Sequence, residues 1–133
     1  MNKIISSAIL FIVLIAITAS LNSQTLYFCE DVDGSGYPIG ESSTFNISRD
    51  GGWLKMLVRL PYDVNCRSVR FEVYRKDSYG YETYDNTIRQ DVERDWRWFW
   101  QKITFYSAGS YNVYCYDCSD YLLTSGSIRI NYK

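Results

Sequence analysis

The stretch AGSYNVY, residues 108–114, begins as a turn and continues as a strand. Small residues at 107–110 are typical of a turn between two strands. From residue 111 to 117 the side chains then alternate, with Tyr111, Val113 and Cys115 on one face and Asn112, Tyr114 and Tyr116 on the other. A period of two residues predicts a half-buried β-strand.

The same pattern recurs on both sides of this stretch. Short alternating segments rich in Tyr, Trp, Phe, Val and Ile are separated by Gly, Pro, Asn and Asp, as in all-β proteins. The predicted strands are 25–29, 43–48, 53–60, 68–75, 99–106, 111–117 and 121–131. The polar, Tyr-rich segment 76–94 predicts one short edge strand and a loop. About seven antiparallel strands in one domain favour a two-sheet β-sandwich.

The first residues of the chain resemble a leader. Lys3 is the only charged residue before Glu30, and an apolar run at 9–17 is followed by small and polar residues. This layout predicts a signal peptide at 1–23 and a single domain at 24–133. The apolar run is shorter than the about 20 residues that span a bilayer, so no membrane insertion is expected after cleavage. An uncleaved anchor is the alternative; otherwise the domain is periplasmic, cell-surface or secreted.

The charge balance excludes one class of partner. The whole chain has 14 basic and 15 acidic residues. Removal of Lys3 with the signal peptide takes away one positive charge and leaves a net charge of −2. Nucleic-acid binding needs clustered Lys and Arg, and the sequence contains no basic run. The expected partner is a glycan or a protein, and no cofactor is expected.

The stretch AGSYNVY also resembles the Gly-x-Tyr-x-Cys corner of immunoglobulin-like domains. Val113 stands where an antibody domain has its second Cys. The resemblance therefore implies the immunoglobulin-like sandwich, with the Tyr111 hydroxyl bonded back to the backbone, but not the antibody-type disulfide between the sheets. The chain is also similar to small exported bacterial sandwich proteins, a resemblance that implies no activity.

Four cysteines, an even number in an exported chain, indicate disulfides. Three complete pairings are possible. Zinc is a weak alternative, since the chain has no His and only Cys115 and Cys118 are spaced as ligands. A redox Cys-x-x-Cys is also disfavoured in a strand-like, acidic stretch. The immunoglobulin resemblance places the loop of Cys66 and the last hairpin loop, with Cys118, at one pole. It implies a Cys66–Cys118 disulfide, with Cys29 and Cys115 either paired or free.

The segment DWRWFW, residues 95–100, is the main candidate site. If the strand at 99–106 extends backward, its three Trp side chains face away from the core, and immunoglobulin topology places it beside 53–60. Aromatic rings beside cations are typical of glycan-stacking surfaces and protein hot spots. The candidate ligand-binding residues are Trp53, Arg59, Trp96, Trp98 and Trp100. The alternative is ordinary packing, with the segment folded over the sheet edge and one Trp in the core.

Residues 31–42 read DVDGSGYPIGES and contain half of a calcium-loop pattern. Asp31 and Asp33 occupy positions 1 and 3, but position 12, which should be a bidentate Glu, is Ser42. The pattern predicts at most weak calcium binding through Asp31 and Asp33. The alternative is a flexible crossover loop whose Asp residues cap turns.

Catalysis is not expected from this sequence. The carboxylates Asp91, Glu93 and Asp95 could in principle act in pairs, as in glycoside hydrolases. They alternate with arginines, however, and the chain has no His. The sequence favours a non-catalytic binding module. A structural component that assembles through strand addition at 79–84 is the alternative, and a small hydrolase is the least favoured.

Overall fold

A computed structural model describes residues 24–133, so the predicted signal peptide lies outside the described residues. This range contains ten strands. They are β1 Thr25–Cys29, β2 Asp31–Val32, β3 Pro38–Ile39, β4 Thr44–Ile47, β5 Gly52–Arg59, β6 Ser68–Lys76, β7 Glu82–Asp91, β8 Trp98–Phe105, β9 Gly109–Tyr116 and β10 Leu122–Tyr132. None of these residues belongs to a helix long and apolar enough to cross a membrane.

Eight of the strands form two sheets. The first has the order β1-β5-β8 and the second has the order β4-β10-β9-β6-β7, while β2 and β3 form a separate small hairpin. One hydrophobic cluster fills the space between the two sheets. The prediction of an all-β sandwich is confirmed.

Alternating side chains account for this core. In β5, Leu54, Met56 and Val58 are buried between the sheets. In β9, Val113 and Cys115 are completely buried, while Asn112 and Tyr114 are only partly buried. Successive side chains of a strand point to opposite faces of its sheet, so each of these strands contributes one apolar row.

Two details of the predicted strands are wrong. Segment 76–94 contains a ten-residue strand, β7, rather than a short one. Its polar side chains hide the alternation because β7 is an edge strand that is held mainly by backbone pairing to β6. In addition, β4 pairs with β10 in parallel rather than antiparallel orientation. Alternation reports which face of a strand is buried, not the direction of its neighbour.

The predicted tyrosine corner is present. The Tyr111 hydroxyl donates a hydrogen bond to the carbonyl oxygen of Ser107 at 2.7 Å. Its ring lies 4.7 Å from that of Phe105, centroid to centroid. Burial raises the pKa of Tyr111. The corner fixes the connection between β8 and β9 and therefore joins the two sheets.

The Cys66–Cys118 disulfide is confirmed. It joins the loop after β5 to the turn between β9 and β10, with the two Cα atoms 5.8 Å apart. Cys29 and Cys115 are free and buried. Burial raises the pKa of both thiols, that of Cys115 to about 12. A structural disulfide is typical of an oxidising, extracytoplasmic environment.

Candidate ligand groove along strand β8

The outer face of the three-stranded sheet carries the aromatic candidates. Strand β8 pairs with β5, with Trp98 opposite Arg59 and Trp100 opposite Leu57. The prediction that these two strands are neighbours in one sheet is therefore confirmed. No Trp belongs to the buried core of residues 24–133, so the alternative that one Trp fills the core is wrong. The exposed fractions are 56% for Trp53, 41% for Trp96 and 39% for Trp100.

The hairpin of β2 and β3 folds over part of this face. Gly36, with a φ of +82°, lies against the Trp98 indole so closely that a Cβ would overlap the ring. The Arg59 guanidinium donates a hydrogen bond to the Gly36 carbonyl oxygen, and its Cζ lies 4.2 Å from the centroid of the Tyr37 ring. The two separate candidates of the sequence, segment 31–42 and the Trp surface, are thus one structural unit.

The acidic residues of this hairpin already have partners. Lys55 Nζ lies 2.7 Å from Asp31 Oδ1, and this hydrogen bond holds the pKa of Asp31 below its ordinary value. Asp33 Oδ1 accepts hydrogen bonds from the backbone N–H groups of Ser35 and Tyr37, at 2.9 and 3.0 Å. Within residues 24–133 no group of three or more His, Cys, Asp or Glu side chains could hold a metal ion. Weak calcium binding through Asp31 and Asp33 stays a prediction. The alternative, that an Asp of this loop caps a turn, agrees with the hydrogen bonds of Asp33.

An open groove of about 1060 Å³ follows the first half of β8. Arg59, Trp96, Trp98 and Trp100 line it together with Gln90 of β7. Four of the five candidate residues are therefore brought together around one space.

Trp53 is the exception and corrects the predicted site. It lies six residues before Arg59 in β5, which is roughly 20 Å along a strand, and it does not line the groove. Lys102 Nζ lies 4.7 Å from the centroid of its ring instead. The sequence correctly predicted which face of the sheet Trp53 lies on. It could not predict that Trp53 lies outside the groove, because that depends on β7, which lines the groove only at the opposite end of β8.

Gln90 lines the groove but was not among the residues that the sequence indicated. Its side-chain Oε1 is buried and has no hydrogen-bond partner within residues 24–133. A buried acceptor of this kind is uncommon in folded proteins, because leaving it unpaired costs free energy. The sequence offered no signal, since Gln90 lies in the polar segment that predicted only a short edge strand.

Two cations beside the groove already have partners. Lys55 Nζ lies 4.0 Å from the centroid of the Trp100 ring, and Arg97 Nε lies 2.9 Å from Asp63 Oδ1. Among the three carboxylates considered for hydrolysis, only Asp95 lines the groove. The groove therefore offers indole rings and hydrogen-bonding groups rather than a pair of carboxylates.

Comparisons with known proteins support the fold. No family model matches the chain, and no curated protein matches it either. Among solved structures, an immunoglobulin-like protein from Pseudomonas aeruginosa is similar, with a TM-score of 0.52 and 11% identity over 83% of this chain and 94% of its own. Identity at this level shows a common fold alone, and it agrees with the immunoglobulin-like resemblance of the tyrosine corner.

Two further structures are less similar. A superoxide reductase (neelaredoxin) variant from Ignicoccus hospitalis has a TM-score of 0.44 and 9% identity over 87% of this chain and 86% of its own. The β-glucosidase 3B from Thermotoga neapolitana has a TM-score of 0.40 and 8% identity over 81% of this chain and 16% of its own.

Proposed function

We propose that this protein is an exported, non-catalytic binding module that takes a ligand in the groove along β8. The single observation that carries this proposal is the convergence of three indole side chains, Trp96, Trp98 and Trp100, on one open groove. Partly exposed Trp side chains in one patch favour an interaction surface, because unused apolar surface promotes aggregation.

The chemistry of the groove suits two kinds of ligand. Indole rings stack on the apolar faces of sugars and on extended protein segments, and Trp is enriched among the residues that dominate binding energy. The side-chain amide of Gln90, which lines the groove, would form a hydrogen bond with a hydroxyl or amide group of either ligand. The proposed partner is therefore a glycan or a protein of the cell envelope or the secreted fraction.

Substitution of Trp100 tests the site. Trp100→Ala should weaken ligand binding by at least about tenfold, as expected for a central aromatic residue of a binding site. Trp53→Ala is the matched control, because it removes an outer-face Trp that also lies beneath a lysine but outside the groove. Binding is measured by capture of partners from native envelope material and by Trp fluorescence with added oligosaccharides, after circular dichroism has confirmed the fold of each variant.

Equal losses in the Trp100→Ala and Trp53→Ala variants would place the site elsewhere on the sheet. An intact Trp100→Ala variant that binds as well as the unchanged protein would reject the groove as the site.

A second candidate function is assembly through the edge of the five-stranded sheet. The hairpin of β6 and β7 carries Tyr79, Tyr81 and Tyr84 with exposed fractions of 86%, 74% and 59%, and β7 is the edge strand. This candidate requires association that rises with protein concentration in the absence of any ligand. Analytical ultracentrifugation separates it from the groove proposal, which requires none.

A further inference from the structure

We propose that the groove binds an extended peptide segment of a partner protein, which adds to the three-stranded sheet as a new strand beside β8. This inference rests on the proposed function, since it names the ligand class of the same groove. The structural basis is the open edge of β8, which pairs with β5 on one side and with no strand of residues 24–133 on the other.

The hydrogen-bond pattern shows which groups this edge presents. The N–H of Leu60 donates to the carbonyl oxygen of Arg97 at 2.7 Å, and the register of the two strands pairs Val58 with Phe99. In an antiparallel ladder the bonded residues alternate, so Phe99 and every second residue after it bond to β5. Trp98 and Trp100 therefore direct their backbone N–H and C=O groups into the groove. A ligand with a peptide backbone matches that spacing.

The edges of β1 and β7 are protected, whereas that of β8 is not. The outer edge of β1 is covered, because its Phe28 carbonyl oxygen accepts a hydrogen bond from the N–H of Ser42. Strand β7 is interrupted by a register shift opposite Val73 and Tyr74, and it carries charged side chains. Bulges and charges are the usual protection of edge strands. The first half of β8 has neither a bulge nor a charged side chain.

Strand β7 extends past the edge of β8 in the opposite sheet, and the space this leaves beside β8 fits one added strand. Phe71 of β6 contacts Phe99 of β8 across the core, with ring centroids 6.5 Å apart, so β6 lies opposite β8. Strand β7, on the far side of β6, therefore extends past the edge of β8. Its inward residues Ile88 and Gln90 are only partly covered. One strand beside β8 would cover them.

A second copy of the chain does not fit this space. Pairing two β8 edges about a twofold axis would place each copy's β7 in the layer already occupied by the partner's β6. The overhang therefore favours a single extended segment over a symmetric dimer with a continuous sheet.

The two faces of the added strand would meet different surroundings. Side chains that point inward face the side-chain amide of Gln90, which lines the groove, so Ser, Thr or Asn is expected there. Side chains that point outward lie beside the indole rings of Trp98 and Trp100, which favours aromatic or long aliphatic residues. The partner segment should alternate accordingly, with a period of two residues.

The test uses a library of linear peptides displayed on phage and selected against the protein expressed from its full-length sequence. A selected peptide should protect the amide hydrogens of Trp98 and Trp100 from exchange, as followed by nuclear magnetic resonance. N-methylation of the peptide at alternate backbone positions should weaken binding at least about tenfold in one of the two registers and little in the other. Gln90→Leu should weaken peptides with an inward hydroxyl or amide by about fivefold.

The results of these experiments separate strand addition from other modes of binding and from the absence of a ligand. A peptide that binds without protecting these amides would overturn strand addition. Envelope glycans that bind in the groove when no peptide is selected would overturn the peptide inference and leave the proposed function standing. Association of the protein with itself through β8 would also overturn it. The absence of any ligand for the groove would remove both proposals.

Discussion

At the scale of single residues, Tyr111 has the most sharply defined structural role. Its hydroxyl bonds to the Ser107 carbonyl oxygen, four residues back in the chain, while its ring is buried against the core. Arg75 Nη1 also lies 3.2 Å from the same hydroxyl. The side chain thus satisfies polar groups at the point where the chain passes from one sheet to the other.

Replacement of Tyr111 by Phe should reduce the free energy of unfolding by about 1–2 kcal/mol, because a partly buried hydrogen bond is lost. Urea denaturation measures the loss. Tyr121→Phe is the control, since the Tyr121 side chain is 72% exposed and its hydroxyl has no hydrogen-bond partner within residues 24–133. Equal denaturation midpoints for the two variants would contradict a structural role for the corner.

At the scale of elements, three hairpin turns are built on the same pattern. Asp33, Asp77 and Asp117 each accept backbone hydrogen bonds from the second and fourth residues that follow. In each turn the residue three positions later has a positive φ: Gly36, Gly80 and Asp120. The calcium-like segment of the sequence therefore shares its geometry with two turns that lack the first half of a calcium pattern.

Replacement of each aspartate by Ala gives a matched series. Asp33→Ala, Asp77→Ala and Asp117→Ala should each reduce the free energy of unfolding by about 1 kcal/mol, through the loss of two solvent-exposed hydrogen bonds. Thermal unfolding is measured with and without millimolar calcium. A rise in melting temperature with calcium that disappears only in the Asp33 variant would support the calcium site instead of the turn.

The disulfide joins the turn that contains Cys118 to the loop after β5 that contains Cys66, and the two cysteines should act as one unit. Cys66→Ser and Cys118→Ser should each reduce the free energy of unfolding by about 2–4 kcal/mol, and the double variant should lose about the same amount. Chemical denaturation of the three variants under non-reducing conditions gives the values. Losses that add in the double variant would mean that the two cysteines stabilise the protein separately.

At the scale of the whole molecule, the two sheets present different outer surfaces. The three-stranded sheet carries the Trp groove, and the five-stranded sheet carries tyrosines bonded to carboxylates. The Tyr74 hydroxyl donates to Glu72 Oε1 at 2.7 Å, and that of Tyr114 donates to Glu82. These hydrogen bonds to carboxylates raise the pKa of both tyrosines to about 12.

This surface predicts a loss of stability at alkaline pH. A tyrosine in the unfolded chain has a pKa of about 10, so the folded protein holds these protons more tightly. The contribution to stability is fully present below pH 10 and is lost as the pH rises to about 12. Urea denaturation at a series of pH values should show this decline, and it should be smaller in a Tyr74→Phe/Tyr114→Phe variant. Tyr79→Phe, which alters an exposed tyrosine, should leave the slope unchanged.

The pattern of single strands could be predicted from the sequence because burial of one face imposes a period of two. The faces of Trp53 and Arg59 follow from this local information, whereas the tyrosine corner follows from the resemblance of residues 108–114 to immunoglobulin-like domains. Strand β7 could not be predicted in full, since an edge strand with two polar faces has no such period. The parallel pairing of β4 with β10 was equally hidden, because alternation carries no strand direction.

The sequence by itself determined the fold class and the apolar rows of the core, both of which depend on residues close together in the chain. For the Trp side chains it left an outer position and core packing open. The tertiary structure alone decided that the hairpin of Gly36 packs on Trp98, that Trp53 lies away from the groove and that Gln90 faces it. These contacts depend on how far one sheet extends past the other and on where a distant hairpin folds back. Such positions are set by packing between segments far apart in sequence, and no local pattern of side chains records them.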